Sequence, residues 1–539
     1  MVPIPKEILE KKEIEWHYKE AEIVLGKKLD NPYTIENMQK AYDNLSKKYN
    51  SSAKLNENNQ VVKVSHLYIR WLPKSWAEYD ELKNDRKLML FDIPLDYEVV
   101  VNGNKYHDKT IPADLPTWQY TVIEKDYKYN KKIKYEILAE AYLPEKDKEL
   151  KDKNGRFAAG FTAEELINEA LTITNNPDYL IPFTSKNAKV AWRPGGYVKV
   201  YDTRLGTIIP VQGVYVRARR FLSIESGVTK ADGRYDAGGT FGGGADYALY
   251  WEAADFDVRS GALGQAWVNG PHLASDWNVT FTGGVDRFYA HVFRGAWRYH
   301  YGDIDDLCRP GRMPDPRFAG AINAAIKYAA YNSLGTGAEG INYGNWTVFG
   351  TNPNIGVWRY QNDINLGVME LDSDEIFSTT IHETAHSTHI RVLNLIQFAN
   401  VSKFIRESWA TGIELFITTL EYSPYLSNYG NFNYSQPNLG RPLSYANQYW
   451  KKDIGDNYDY SSIFIDLVDS HNQFFSSPNI YFQYPNDPVS GFKYFQLESK
   501  IMPNTFALSS LLTNLKNNKP NNGLTDTMLE SFILEYVKP

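Results

Sequence analysis

Residues 371–386 read Leu-Asp-Ser-Asp-Glu-Ile-Phe-Ser-Thr-Thr-Ile-His-Glu-Thr-Ala-His, a stretch without glycine or proline. Asp372 and Glu375 have the spacing of a capping box, so we expect a helix to begin here. Four residues make just over one helical turn, so His382 and His386 leave the same face and both rings can bind one metal ion. Chance is a poor explanation, because ten histidines in 539 residues make this motif expected only about 0.02 times.

Glu383 directly follows the first histidine of the motif. Its carboxylate projects one position round the helix, where it reaches a water on the metal instead of the metal. Zinc lowers the pKa of such a water to about 7, and a nearby carboxylate takes its proton as the water attacks a carbonyl. We therefore predict Glu383 as the catalytic base of a zinc (Zn²⁺) site. The alternative is that the two histidines are an ordinary surface pair.

The third metal ligand must come from further along the chain. A histidine ten positions after His382 would indicate a metzincin, but that position is Val392, which excludes the class. A second helix is expected from about Ser402, and it carries Glu407 twenty-one positions beyond the motif. Two histidines and one glutamate leave the fourth position open for water, as catalysis requires. Glu414, on the same helix face, is the rival third ligand; otherwise we expect its carboxylate to contact a metal ligand or to have a structural role.

The order, spacing and helical context of residues 371–414 resemble the gluzincins, which are thermolysin-like peptidases and related zinc aminopeptidases. In that family a glutamate on the following helix completes the zinc site, and a small residue, an aromatic residue and alanine often follow it, as in Glu407–Ala410. The resemblance implies a zinc peptidase with Glu407 as third ligand. Thr411 stands where thermolysin-like proteins have an aspartate that holds a zinc histidine, so the residue with that orienting role stays open.

Hydrolysis also needs a donor for the oxyanion that develops on the attacked carbonyl. Thermolysin-like enzymes have an acidic residue five positions before a histidine, and Asp466 and His471 show that spacing. The resemblance therefore implies His471 as the oxyanion donor. The segment between them looks helical, so a surface histidine is the alternative. The rivals for the same role are Tyr445, Tyr449, Tyr458 and Tyr460.

Several nearby residues suggest further features of the site. Residues 364–371 alternate weakly and predict a strand beside the cleft, where gluzincins bind extended substrate. Gly367–Glu370 is similar to the Gly-x-Met-Glu motif of the aminopeptidases, which keeps an exopeptidase as an alternative. His389 lies about 10 Å along the helix from His382, too far to bind the same ion, so we expect it to contact a metal ligand or to lie at the surface. Aspartate-rich turns at 303–306 and 453–459 could bind calcium (Ca²⁺) or be solvated loops.

Residues 193–255 resemble the transthyretin-like or carboxypeptidase-regulatory-like modules. The likeness rests on Pro210–Val216 (Pro-Val-Gln-Gly-Val-Tyr-Val) and Thr229–Tyr235 (Thr-Lys-Ala-Asp-Gly-Arg-Tyr). It implies a small β-sandwich of a kind frequent in exported bacterial proteins. Asp232-Gly233 supplies a turn that needs positive φ. We expect this module to be a structural spacer, with substrate binding as the alternative.

The chain as a whole predicts a multidomain α+β protein, because 539 residues exceed one hydrophobic core. Residues 1–60 predict a helical segment, and 61–192 predict a β-rich accessory domain. Residues 256–539 become increasingly helical and predict a zincin peptidase domain with a small sheet. The elements predicted before residue 192 are two surface helices within 5–50, strands at 61–71, 88–91, 97–101, 120–123 and 133–139, a solvated loop at 144–156, and a helix at 162–173.

Composition narrows the partners and the location. The net charge of −7 offers no basic surface for nucleic acid. Cys308 is the single cysteine, so no intrachain disulfide forms. No apolar run is long enough to span a membrane. The first residues lack a signal-peptide pattern, as would a chain beginning after a removed leader with a lipid anchor; a cytoplasmic protein would look the same.

We therefore expect a secreted or cell-surface bacterial zinc endopeptidase that acts on protein or glycoprotein. One alternative is a surface protein that binds glycan or protein on an inactive peptidase scaffold, since 39 tyrosines and 13 tryptophans suit carbohydrate stacking. Another is a glycopeptidase that reads attached sugars. The preferred side chains at the cleaved bond and the oligomeric state stay open.

Overall fold

The structure is a computed structural model that combines helices with several sheets in more than one domain, which confirms the multidomain α+β class. Among the described residues, no helix has the length and apolar character needed to cross a membrane. The residues described are 22–49, 62–83, 85, 87–103, 106–113, 115–147, 157, 159–180, 192–256, 258–260, 264–310, 326–329, 340–343, 373–393, 397–398, 400–426, 461–470, 472 and 485–537.

The first part of the chain is a β-rich unit with helices packed on it. Strands β4, β2 and β5 form an antiparallel sheet in that order, and β1 pairs with β3. Helices α1 and α3 pack against each other. The elements are β1 (Val24–Lys28), α1 (Ile35–Lys48), β2 (His66–Leu72), α2 (Trp76–Lys83), β3 (Tyr97–Val101), β4 (Gln119–Glu124), β5 (Lys134–Ala141) and α3 (Ala163–Ile173), with 3₁₀ turns at Pro144–Lys146 and Pro177–Tyr179.

Most elements predicted here are present, although some differ from the prediction and helix α2 was not predicted. Helix α3 begins at a capping box made by Thr162 and Glu165. Helix α1 is one of the two predicted surface helices: Met38 and Ala41 on its apolar face are fully buried, whereas Glu36 and Lys40 on its other face are exposed. The other helix predicted in 5–50 lies outside the described residues. Strand β1 was not predicted, and the strand expected at 88–91 is a single bridge from Phe91. The loop expected at 144–156 begins with a 3₁₀ turn, and its residues from 148 on lie outside the described residues.

The next part of the chain contains two sheets that share one hydrophobic core, and we refer to this pair of sheets as the sandwich. One sheet has the order β10-β6-β15, with β7 also paired to β6, and the other has the order β14-β11-β8-β9. Strand β15 runs parallel to β6, and both β14 and β15 come from beyond residue 255. The strands of these two sheets are β6 (Gly195–Asp202), β7 (Thr207–Pro210), β8 (Tyr215–Arg220), β9 (Ser223–Val228), β10 (Arg234–Asp236), β11 (Ala245–Tyr250), β14 (Trp267–Leu273) and β15 (Val279–Phe281). Two short strands between β11 and β14 belong to a separate sheet: β12 (Arg259–Ser260) and β13 (Gly264–Gln265).

The predicted turn at Asp232-Gly233 is present. Gly233 has φ +80°, and a Cβ there would lie 2.6 Å from the Val198 carbonyl oxygen. Both the backbone angle and the close approach therefore require glycine. After this turn, β10 pairs with β6.

The remaining chain is mainly helical and contains the predicted metal motif. Helix α5 packs between α4 and α6, and strand β17 lies beside it. At Gly295 of α4, a Cβ would lie 2.9 Å from the Thr380 Cβ of α5, so the absent side chain lets these helices approach closely. The elements are α4 (Gly284–Tyr301), β16 (Ile326–Ala329), β17 (Gly340–Tyr343), α5 (Ser373–Leu393), α6 (Lys403–Tyr422), α7 (Ile463–Asp466), α8 (Tyr494–Gln496), α9 (Leu508–Asn517) and α10 (Asp526–Val537).

The hydrophobic cores connect these units. Phe288 and Phe293 of α4, together with Ile376 of α5, belong to the core of the sandwich. Tyr250 and Trp267, from the sheet β14-β11-β8-β9, belong to the core of the first unit. Each unit is thus supported by the next one along the chain, while the predicted boundaries at 60, 192 and 255 stay predictions.

Candidate metal centre

The candidate centre lies where α5 packs on α6. Helix α5 runs for 21 residues without glycine or proline, and its buried face includes Phe377, Ile381 and Ala385. Helix α6 begins after Ser402, whose side chain accepts a hydrogen bond from the Ile405 amide. Both helices predicted around the motif are present, and their packing brings the predicted ligands together.

Three predicted ligands converge on one point. Oε2 of Glu407 lies 3.4 Å from Nε2 of His382 and 3.3 Å from Nε2 of His386. The two imidazole rings are nearly perpendicular, at 85°. One ligand atom from each residue lies within 4.8 Å of the others. The side chains from two helices therefore form a compact nitrogen, nitrogen and oxygen donor set.

These separations fit a tetrahedral zinc ion. Zinc–nitrogen and zinc–oxygen bonds are about 2.0–2.2 Å long, so the ligand atoms of a tetrahedral site lie about 3.3–3.6 Å apart. Both measured distances to Glu407, 3.3 and 3.4 Å, match that edge. Three protein ligands leave one position for a water or substrate, unlike a closed structural site.

The charge at the candidate centre favours binding of a cation. Burial alone would raise the pKa of Glu407, but the adjacent His386 and His382 outweigh it and hold the pKa well below its usual value. Burial lowers the pKa of His386, although Glu407 opposes that effect. The carboxylate is therefore ionised and the imidazole favours its neutral form, which are the states that bind zinc.

Glu414 is not one of the three converging ligands but contacts one of them, His382. Its Oε2 lies 2.9 Å from Nδ1 of His382, on the opposite side of the ring from Glu407. A carboxylate only accepts, so Nδ1 carries the hydrogen and the lone pair of Nε2 faces the candidate centre. Both side chains are buried. Glu414 thus supplies the orienting contact left open in the sequence; its two-turn spacing from Glu407 was the available signal.

Two other residues near the motif have structural contacts. The Thr411 hydroxyl donates to the Glu407 carbonyl, one helical turn back, at 3.0 Å. It does not contact a motif histidine through any hydrogen bond of the described residues. His389 is buried against Phe398 and Trp409, so the expectation of a surface position is wrong. Burial lowers the pKa of His389 to about 3, which keeps its ring neutral.

Other predicted residues fall wholly or partly outside the described residues. Glu383 belongs to α5, but its side chain is outside them. His471 is also outside, as are the four candidate tyrosines, residues 364–371 and the aspartate turn at 453–459. Asp466 is described and fully buried, where its carboxylate accepts hydrogen bonds from Ser462 and Tyr536.

The other proposed calcium turn is described. Asp305 and Asp306 have positive φ, and the Asp305 amide donates to the Asp303 carboxylate at 3.2 Å. Within the described residues, this turn is not part of a group of three or more mutually close metal-binding side chains; that group is His382, His386 and Glu407. Calcium binding by this protein stays a prediction.

The contact of Glu414 predicts a measurable effect on metal affinity. Glu414→Gln removes the charge that polarises His382, so we expect zinc to bind about 10–100-fold more weakly. Competition with a chromophoric chelator measures the dissociation constant. Thr411→Val, on the same helix, is the matched control and should bind zinc as tightly as the wild type. Equal affinities for wild type and Glu414→Gln would contradict the orienting role.

Comparisons with models of known protein families, with curated proteins and with solved structures found no match to this chain.

Proposed function

We propose that this protein is a zinc-dependent peptidase of the gluzincin type, with His382, His386 and Glu407 as the metal ligands. The observation that carries the proposal is the convergence of these three side chains, in which both distances from Glu407 to the histidine nitrogens match the edge of a tetrahedral zinc site. The motif on α5 also has a glutamate, Glu383, between its two histidines. This glutamate supports hydrolysis over a purely structural metal site.

Zinc, when bound, would polarise the substrate carbonyl and lower the pKa of the attacking water. The protein's own groups do the rest. Glu414 holds the His382 ring through Nδ1, and Glu383 is assigned the proton of the attacking water because it follows a ligand on the same helix. His471 is the proposed donor to the oxyanion.

The surroundings of α5 support a peptide as substrate. Strand β17 lies beside α5, and in the described order of its sheet, β13-β12-β16-β17, it comes last. An extended peptide could pair with such an edge through its main chain. We infer that the substrate is a protein or glycoprotein outside the cell, because the sandwich resembles modules of exported proteins.

Zinc content and cleavage tests distinguish the candidate functions. Purified protein should contain one zinc per chain and should cleave members of a proteome-derived peptide library, detected by mass spectrometry. A chelator should stop cleavage, and added zinc should restore it. A protein without zinc, or a zinc protein without cleavage of any library or glycoprotein substrate, would overturn the peptidase proposal.

A second arm compares a mucin-type glycoprotein before and after enzymatic deglycosylation. Cleavage of both forms supports a general endopeptidase, whereas cleavage of the glycosylated form alone supports a glycopeptidase. Binding to the glycoprotein without turnover supports the alternative of a binding protein on a peptidase scaffold.

A further inference from the structure

The turn after β6 contacts the beginning of α5 directly. The Ser373 amide, at the first residue of the helix, donates to Thr203 Oγ1 at 2.9 Å. In return, the Thr203 amide donates to Ser373 Oγ at 2.9 Å. The first amides of a helix have no partner inside the helix. A residue of the sandwich therefore caps the helix that carries both motif histidines.

Charged groups strengthen this cap. Arg204 Nε lies 3.3 Å from the carboxylate of Asp374, which is fully buried in the first turn of α5. Arg287 of α4 donates to both Thr203 Oγ1 and Ser373 Oγ, at 3.0 and 2.7 Å. The turn after β6, α4 and α5 thus meet at the N-terminal end of α5. A movement of that end would break several hydrogen bonds together.

Asp202, the residue before Thr203, contacts α6, the helix that carries Glu407. The Tyr422 hydroxyl, at the last residue of α6, donates to Asp202 Oδ2 at 2.9 Å. Arg294 of α4 donates to the same oxygen at 3.1 Å, and its other terminal nitrogen donates to Glu421 at 2.9 Å. Asp202 is fully buried. The turn therefore holds the C-terminal end of α6 as well.

These contacts have a consequence for the candidate centre. Direct packing of α5 on α6 sets the distance between their axes, but packed helices can still slide along each other. Metal–ligand distances tolerate only about 0.2 Å. Contacts at the start of α5 and the end of α6 oppose sliding, which would separate His382 and His386 from Glu407.

We propose that the turn Asp202–Arg204 of the sandwich is a positioning element of the metal centre, because it fixes both ligand helices along their axes. This inference rests on the proposed zinc binding. It assigns to the sandwich a role in the site instead of the role of a spacer. Asp202 and Thr203 act through the helices, so they are positioning residues and not catalytic ones.

The test uses Thr203→Val, which deletes the hydroxyl and keeps the shape of the side chain. We expect the dissociation constant for zinc to rise about three- to tenfold, measured at a temperature well below unfolding. Contacts outside a site can change affinity by this amount. Thr203→Ser keeps the hydroxyl and should restore the wild-type affinity. In cobalt-substituted protein, Thr203→Val should also change the visible absorption, which reports ligand geometry.

Thr229→Val is the matched control in the same sandwich. It deletes a hydroxyl that accepts from the Val214 amide and donates to the Val211 carbonyl, and the described residues show no hydrogen bond from it to α5 or α6. This variant should lower the unfolding temperature without changing zinc affinity or the cobalt spectrum. Asp202→Asn tests the contact with α6 and should weaken zinc binding as Thr203→Val does, which keeps the test available if either variant fails to fold.

Different failures have different meanings. A wild type that binds no zinc overturns the proposed function and this inference together. If the wild type binds zinc, and Thr203→Val or Asp202→Asn has the same zinc affinity and cobalt spectrum as the wild type, only the positioning role is overturned. Equal weakening in Thr229→Val also overturns it, because loss of stability would then explain the effect.

Discussion

Replacing Glu383 with glutamine is expected to stop hydrolysis while the protein keeps its zinc. The amide has nearly the same size as the carboxylate but cannot take a proton from the attacking water. A general base contributes about 10²–10⁴-fold to such reactions. The rate of cleavage of a library-selected peptide should fall by that factor in Glu383→Gln, with zinc content measured on the same samples.

The control for this variant is Glu530→Gln, which makes the same change at a half-exposed carboxylate of α10 that pairs with Lys516. Its cleavage rate and zinc content should equal those of the wild type. If Glu383→Gln keeps full zinc and cleaves at the wild-type rate, Glu383 is not the base. If it loses its zinc, the loss of activity does not report on proton transfer, and the assignment of Glu383 outside the ligand set is wrong.

Replacing Glu407 is expected to have the largest effect on metal binding. Glu407→Gln removes the one anionic ligand of the proposed set, which now lies 3.3–3.4 Å from both histidine nitrogens. Zinc affinity should fall by more than the roughly 100-fold upper range for a residue that only orients a ligand. The same chelator competition used for Glu414→Gln gives both constants.

This pair of variants separates the two glutamates of α6. Glu407→Gln should weaken zinc binding more than Glu414→Gln, because Glu414 bonds Nδ1 of His382 on the far side of the ring. The reverse order would contradict the assignment and make Glu414 the ligand. Zinc bound equally tightly by wild type and both variants would place the metal elsewhere.

Local signals predicted the two helices that carry His382, His386 and Glu407. The run without glycine or proline gave the helix around His382, and Ser402 marked the start of the next helix. The resemblance to the gluzincins implied Glu407 as the third ligand, and the structure brings its carboxylate beside the two histidines. Within the first unit, the helix predicted at 162–173 is present as α3. These features depend on residues close in sequence, where capping and periodicity act directly.

Long-range contacts were beyond such signals. Strands β14 and β15 join the sandwich from beyond residue 255, although the module resemblance ends there. Glu414 was recognised as a carboxylate near the site, but which nitrogen of His382 it contacts depends on how α5 packs on α6. Thr203 carries no mark of a helix cap, because its partner Ser373 is 170 positions away. Pairing over such separations is set by tertiary packing.

The pairing of β6 with β15 also bears on synthesis. Chains emerge from the ribosome N-terminus first, and domains fold as units as they appear. Val198 pairs with Val279, so β6 gains this neighbour once residue 281 has emerged, well before Ser373. The part of the α5 surroundings that comes from the sandwich and α4 can therefore be in place before α5 is made. The first amide of α5 then meets an acceptor already present at Thr203, and α6, with the third candidate ligand, is added afterwards.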